Sequence, residues 1–327
     1  MDLIKEIHQF LQSELSEMNN LILGCLSAEE ELIQLIGNHI SNSGGKRIRP
    51  VLTLLSTKIF DCHSDNAIKL GAAVEFIHMA TLLHDDVVDG SKMRRFLPTA
   101  NVIWGNKASI LVGDFLFSQS FKLIVATRLL PAMDVLSKAC AVVIEGEVSQ
   151  LAKLEERRLI TEEEYLKVIN AKTAVLFGAA CEVGAIIANQ SPNYCKAMRD
   201  FGMKLGEIFQ ITDDLLDYFI QGEVRGKNIG DDFVEGKVTL PLIFLARKLP
   251  EEKKEKLLRL ITAPERTPED FYWVTELLTV FGVKNEILEY LQGFKISADN
   301  FLDKINIKNE SKEYLKSLVN FAVERSY

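Results

Sequence analysis

The sequence predicts an all-α protein of about ten or more helices, and four observations point there. Through 67–88, apolar residues recur at three- and four-residue steps, at Ile68, Ala72, Phe76, Met79, Leu83 and Val87. Helix-start signatures recur along the chain. No run of short alternating segments joined by Asn-Gly or Asp-Gly turns is present, so β structure is expected to be minor. Only 8 prolines and 19 glycines interrupt 327 residues, which favours long helices.

Taken in order, Ser27-Ala-Glu-Glu30 reads as a capping box before a helix, and Thr161-Glu-Glu-Glu164 as another. Thr267-Pro-Glu-Asp270 offers a cap with proline at the first helical position. Loop-like breaks fall at 41–50, 91–106, 189–193, 221–237 and 250–268. The EEKKEK stretch at 251–256 reads as a solvated helix face with i,i+4 ion pairs. No shift in composition divides the chain, so 1–327 reads as a single domain.

Hydrophobic residues make up 47% and charged residues 26%, the balance of a folded globular protein rather than a disordered one. The formal charge is −8 and no basic tail is present, so nucleic acid is not an expected partner. Cys25, Cys62, Cys140, Cys181 and Cys195 are scattered, odd in number and never spaced as CxxC. That pattern fits free thiols in a reducing cytosol, and the expected location is cytoplasmic. Asp2, Lys5 and Glu6 interrupt the first residues, so no signal or transit peptide is expected. The most apolar stretches are interrupted too, 171–188 by Lys172 and Glu182, so no membrane span is expected.

The chemistry lies in an internal echo. His84-Asp-Asp-Val-Val-Asp89 and Thr212-Asp-Asp-Leu-Leu-Asp217 both place D-D-x-x-D in apolar helical sequence. With 17 aspartates in the chain, chance yields only about 0.04 copies of the pattern. Aspartate is a weak helix former and rarely buried alone, so three in five residues need a reason. On a helix, Asp85 and Asp89 point the same way and repel unless a divalent cation lies between them. Oxygen ligands without cysteine favour a hard ion, Mg²⁺ first and Mn²⁺ second, and Mg²⁺ takes much of its shell from substrate phosphates and water. Two such helices face to face would hold a diphosphate between them.

A diphosphate also needs cations. Gly44-Gly-Lys-Arg-Ile-Arg-Pro50 combines a Gly-Gly turn with Lys46, Arg47 and Arg49, although alone it reads equally as a basic turn before a helix. Arg94-Arg95 follow the first acid motif by one loop. Lys172 sits in an apolar helix, where it either meets an anion or snorkels to the surface. Lys227 and Lys237 flank Gly230-Asp-Asp232. His78 lies two helical turns before Asp85; alone it reads more readily as a core histidine. His84 adjoins the acids and is expected at most to orient Asp85. No G-x-S-x-G, G-x-x-x-x-G-K-[ST] or G-x-G-x-x-G is present, so those nucleophile and nucleotide loops are unsupported.

These motifs, in the order GGKRIRP, EFIHMATLLHDDVVD with MRR, GDFLF, AKTAVLF, FQITDDLLD and GKNIGDD-x3-GKVTLP, make the chain resemble the trans-isoprenyl diphosphate synthases, the polyprenyl synthetase family. The resemblance runs from about residue 44 to 245 and implies an all-α bundle, usually a homodimer, with the acid motifs facing across the cavity. It implies two Mg²⁺ on Asp85 and Asp89 and a third on Asp213 with Asp217, all on an allylic diphosphate. Asp86, Asp214 and Asp231 would be supporting acids. Arg94, Lys172, Lys227 and Lys237 would hold the allylic diphosphate, and Lys46, Arg49, His78 and Arg95 the metal-free diphosphate of isopentenyl diphosphate. Lys172, Thr173, Gln210 and Lys227 would take the catalytic positions, with Thr173 and Gln210 beside the carbocation. The chain departs from the family at Phe96-Leu97, where glycine is common after the Arg pair, and its basic C-terminal tail is reduced to Arg325.

The implied reaction adds isopentenyl units to an allylic primer, farnesyl diphosphate being the expected one. Small residues at Ala80 and Thr81, with Ile77 beyond them, leave the tail path open, where short-chain members carry aromatic rings. Ala80→Phe is expected to shorten the product, and Phe115, Phe117 and Phe121 are candidate floor residues, or plain core. The 85–117 stretch is most similar to long-chain bacterial members, which implies an octaprenyl product for a quinone side chain. Solanesyl, decaprenyl and geranylgeranyl products are the alternatives. A terpene cyclase would share the first acid motif but not the isopentenyl site, and a non-catalytic subunit of a heteromeric synthase would lose acid residues that are retained here. An oily product implies passing contact with membrane.

Overall fold

The computed structural model describes residues 3–219 and 230–325. Helices account for nearly all of it: α1 Leu3–Phe10, α2 Gln12–Leu26, α3 Glu31–Asn42, α4 Ile48–Lys58, α5 Asp65–Val88, α6 Ala100–Trp104, α7 Asn106–Ala126, α8 Leu130–Glu156, α9 Glu162–Ile169, α10 Val175–Ile187, α11 Pro192–Phe219, α12 Asp231–Glu235, α13 Leu240–Lys248, α14 Glu251–Thr262, α15 Pro268–Val280, α16 Val283–Asp303 and α17 Glu310–Glu324. A two-residue hairpin, β1 Met93–Arg94 and β2 Leu97–Pro98, is the only sheet among the described residues. One hydrophobic cluster runs from Ile4 to Val323, with Phe76 of α5 and Phe177 of α10 fully buried in it.

Two of the three helix starts form as expected. Thr161 and Glu164 make a reciprocal capping box at α9, and Thr267 with Asp270 does the same at α15, with Pro268 in the first turn. Ser27 does not cap. Its hydroxyl donates back to the Leu23 carbonyl at 3.0 Å, so it closes α2 and α3 starts at Glu31 without a side-chain cap. All five expected breaks are partly helical. α4 opens at Ile48 within the basic turn, α6 lies inside 91–106, α11 opens at Pro192, α12 lies inside 221–237, and α14 fills most of 250–268, its charged face in solvent as expected.

The expectation that no segment matches a membrane span needs correction. By length and composition alone, Asp65–Val88, Asn106–Ala126 and Glu162–Ile187 are apolar enough to cross a bilayer. In the fold, 67%, 44% and 67% of those stretches are buried against other helices. Central helices of a large bundle are apolar on nearly every side, so composition cannot separate them from lipid-facing ones.

The centre of the bundle positions the site. α5 packs along α7 and against α4, α10 packs against α11, α4 and α8, and α11 also packs against α16. Between α9 and α10, Asn170–Ala174 forms a π-helical segment, a wider turn that inserts an extra residue and re-aims the side chains beyond it. Two glycines make room for it. A Cβ on Gly146 of α8 would lie 2.8 Å from Ala171 Cβ and from the Lys172 backbone nitrogen. A Cβ on Gly206 of α11 would lie 2.6 Å from Ala174 Cα.

Candidate active site

The two acid motifs face one cavity of about 800 Å³. Asp85 comes from the last turn of α5 and Asp89 caps its C-terminus; Asp213, Asp214 and Asp217 come from the last two turns of α11. All five line the cavity. So do Lys46, Arg49, His78, Thr81, Arg94, Arg95, Lys172, Thr173, Gln210 and Lys237. Lys227 lies outside the described residues.

Asp85, Asp89 and Asp213 each face a cation. Lys172 Nζ donates to Glu147 Oε2 at 2.7 Å and lies 3.7 Å from Asp85. Lys237 Nζ meets Asp89 at 2.9 Å and Glu235 at 2.7 Å. Arg325 Nη1 is 3.1 Å from Asp213, and its guanidinium lies over the Phe209 ring at 3.6 Å. Burial pushes Asp85 up, the Lys172 charge opposes it, and Asp89 adds to it. Burial alone would lower Lys172, but Asp85 and Glu147 hold its ammonium above the usual range. Glu147 is pushed up to about 7 by burial and by the Asp85 charge, against the pull of Lys172. Acids that draw in ammonium groups suit a hard divalent ion. Among the described residues no three His, Cys, Asp or Glu side chains converge into a closed cage. Mg²⁺ uses one or two carboxylates and completes its shell with water and substrate phosphate.

Adjacent aspartates take opposite roles. Asp86 is buried and clasps Arg94, whose Nη2 and Nε donate to Oδ1 at 2.7 and 3.1 Å. The next position around the helix, Asp85, faces the cavity. In the second motif Asp214 is the buried partner, accepting from Tyr165 Oη at 2.6 Å and Gln210 Nε2 at 2.7 Å. Asp231 opens α12 and does not line the cavity; its neighbour Asp232 does, and its backbone N–H donates to Asp217 Oδ2 at 3.1 Å.

The cationic wall lies on the GGKRIRP turn and the hairpin. Arg47, in the left-handed region at φ 48°, also lines the cavity and donates to Glu75 at 2.8 Å. Arg49 then lies partly buried over the Phe177 ring at 4.7 Å, with no hydrogen-bond partner for its Nε. Burial lowers it only to about 10, with Glu75 and Asp213 opposing, so it stays a cation. Arg95 stacks against Gly45, where a Cβ would come within 2.6 Å of its guanidinium. Lys46 lies over Phe321 of α17 at 4.3 Å. His78 sits among these groups; burial first, then Arg49, Arg95, Arg94 and Arg47, push it well down, so it is neutral at pH 7.

Several placements differ from the sequence reading. His84 turns away from Asp85 to α7, with Nε2 3.1 Å from the Ile110 carbonyl and 3.5 Å from Asp114. Thr81 lines the cavity, whereas Ala80 and Ile77 are fully buried and do not. An aromatic ring at Ala80 would therefore meet core atoms. Phe115, Phe117 and Phe121 do not line the cavity either, and Phe121 is 44% exposed. Sequence reasoning missed Glu147 and Tyr165. A glutamate after glycine in an apolar helix hints at Glu147, but no local signal marks Tyr165.

The polyprenyl synthetase family model matches residues 30–278. Octaprenyl diphosphate synthase of Escherichia coli K12 is 44% identical over 240 residues, 73% of this chain and 74% of that one. The Haemophilus influenzae protein of the same name is 37% identical over 99% of this chain and 98% of its own. A crystal structure of a polyprenyl synthase from Caulobacter crescentus, complexed with calcium and isoprenyl diphosphate, superposes with TM-score 0.94. It has 39% identity and covers 99% of this chain and 98% of that one. The chain belongs to the polyprenyl synthetase family.

Proposed function

We propose that this chain is a long-chain all-trans polyprenyl diphosphate synthase. In this reading it is a prenyltransferase that adds isopentenyl diphosphate to an allylic diphosphate and makes octaprenyl diphosphate. The observation that carries it is the meeting, in one cavity, of two D-D-x-x-D helix ends with a separate set of arginine and neutral histidine groups. One diphosphate fits each half. The octaprenyl relatives support the chain length, and the small Thr81 on the wall leaves room for a long tail.

Asp85, Asp89, Asp213 and Asp217 would hold the Mg²⁺ ions, three by the family's pattern, which supply Lewis-acid stabilisation of the leaving diphosphate. Lys172, Lys237 and Arg94 add fixed positive charge around the same group, and Lys227 is assigned there by resemblance. Arg49, Lys46, Arg95 and His78 hold the second diphosphate; a neutral His78 donates a hydrogen bond without adding a further charge to the arginines. The allylic C–O bond breaks with its electron pair leaving on diphosphate. The double bond of isopentenyl diphosphate attacks the allylic cation to form the new C–C bond. A proton is then lost to the released diphosphate. Thr173 and Gln210 face the cation, and exclusion of water protects it.

The reading covers 1–327 as one domain acting in the cytoplasm. A homodimer is supported by exposed apolar side chains along α7 and α8, Leu111, Val125, Leu130, Ile144 and Val148 among them. Release of an oily product implies passing contact with lipid, which co-sedimentation with vesicles measures. The deciding experiment incubates the purified chain with Mg²⁺ and farnesyl diphosphate, with and without isopentenyl diphosphate. Elongated product only when both are present is expected. Consumption of farnesyl diphosphate alone identifies a cyclase instead, and no turnover identifies a non-catalytic subunit.

A further inference from the structure

Two loops meet at the cationic wall, the 44–46 turn and the β1–β2 hairpin. They touch where the Arg95 guanidinium lies against Gly45, so close that a Cβ there would come within 2.6 Å of it. Arg95 stands in the hairpin turn, and a two-stranded hairpin this short has little stability of its own. β1 is tied to α5 through Arg94 and Asp86. β2 is held from outside. Thr99 N–H donates to the Lys92 carbonyl at 3.1 Å and Arg94 pairs with Leu97, so by the alternation of an antiparallel ladder the intervening Pro98 turns its carbonyl outward. His39 of α3 meets it there, with Nε2 2.9 Å from the Pro98 oxygen. A carbonyl only accepts, so the ring donates, and both the neutral and the protonated imidazole can carry that Nε2–H. Trp104 of α6 stands edge-on to the imidazole, with centroids 5.2 Å apart, and steadies its plane. His8 of α1 braces the facing turn in the same way, 3.2 Å from the Lys46 carbonyl oxygen. Neither histidine lines the cavity.

We infer that His39 is a positioning residue for the second diphosphate: by holding the Pro98 carbonyl it sets the hairpin against the 44–46 turn, so that the Arg95 guanidinium stands at a fixed place on the cavity wall. The inference rests on the prenyl-transfer reading above and goes beyond it, to a residue outside the cavity. Without the bond, β2 is loose at its outer edge and Arg95 moves with it. A charged fork already held in place loses less freedom on binding than a mobile one, so the bond contributes affinity for the diphosphate that Arg95 contacts. The allylic half stands apart from this brace. Asp85, Lys172 and Asp213 come from α5, the π-helical segment and α11, and Arg94 stays clasped by Asp86.

The test is steady-state kinetics of the full-length enzyme with Mg²⁺, farnesyl diphosphate and isopentenyl diphosphate, each diphosphate varied in turn. His39→Phe keeps a ring against Trp104 but has no donor. It is expected to raise KM for isopentenyl diphosphate about fivefold, in the range of one ordinary hydrogen bond. Both kcat and KM for farnesyl diphosphate should stay within about twofold, since neither the chemical step nor the allylic half is touched. His39→Gln, whose amide N–H reaches toward the same carbonyl, should bring KM back to within about twofold of wild type. In an Arg95→Gln background His39→Phe should cost less than about twofold, because the guanidinium it acts through is gone. An unchanged KM for isopentenyl diphosphate in His39→Phe overturns the inference, as does an equal rise in both KM values. Failure of His39→Gln to restore KM, or full additivity with Arg95→Gln, overturns it too, since a merely structural histidine gives those results. An inactive wild type would overturn the prenyl-transfer reading itself; an active wild type with any of those outcomes overturns only this step.

Discussion

At the residue scale, neighbouring aspartates separate structure from chemistry. Asp86 is buried with its charge matched by Arg94, so Asp86→Asn leaves that arginine without its counter-ion and should cost about 3 kcal/mol of stability. Asp85 is raised by burial and faces the cavity, so Asp85→Asn should fold at least as well and lose about 10³ in kcat. Urea unfolding beside steady-state kinetics distinguishes the two, and equal effects on both quantities contradict the division. His78 gives a pH signature. Its folded pKa lies well below the ordinary 6.5, so below that pH the unfolded chain binds a proton that the folded one does not. Stability should therefore fall as pH drops from about 6.5, and His78→Asn should flatten that slope in thermal melts. Arg95 and Phe96 form the two-residue turn of the β1–β2 hairpin at φ 50° and 67°, a conformation suited to glycine. The unusual Phe96 in the sequence thus stands at a strained position. With its ring 54% exposed, Phe96→Gly should raise stability or leave it unchanged, by up to about 1 kcal/mol.

At the element scale, the π-helical segment decides where Lys172 and Thr173 point. Gly146→Ala brings a methyl against Ala171 and the Lys172 backbone, so α8 or the segment must shift. The expected result is a loss of activity exceeding tenfold from a small displacement of the site, with helix content unchanged by circular dichroism. Much of the frame is legible in the chain. Helical period marks α5, capping boxes mark α9 and α15, and the two acid motifs mark the cavity because aspartates in apolar helix demand a partner. The rest depends on distant contacts. The π segment is set by how closely α8 and α11 approach, which two scattered glycines do not reveal. Ser27 carries the same letters as a real cap, and only its bond to Leu23 shows that it ends a helix. The facing of Asp85 to the cavity and of His84 to α7 follows from helix rotation, which sequence spacing fixes only within one helix. Tyr165 meets Asp214 from another helix, so nothing local announces it.

At the scale of the whole molecule, the bundle gathers its charged groups around one cavity within an apolar interior. Thr81 is the predicted length residue that stands on the wall. Thr81→Phe should shorten the product while condensation continues, and product masses unchanged from wild type contradict that tail path. The thiols belong to the same interior. Burial pushes Cys140 up to about 11 and Cys181 up to about 12. Both should resist thiol reagents at pH 8 until the protein unfolds, while Cys25, Cys62 and Cys195 react first. In the proposed reaction, acids on two separate helices hold metal together, through a diphosphate lying between them. Calorimetric titration of Mg²⁺, with and without a non-ionising thio analogue of farnesyl diphosphate, tests this most directly. Strong Mg²⁺ uptake is expected only with the analogue present, weakened alike by Asp85→Asn and by Asp213→Asn. Uptake that is independent of the analogue, or indifferent to one of the two motifs, would contradict it.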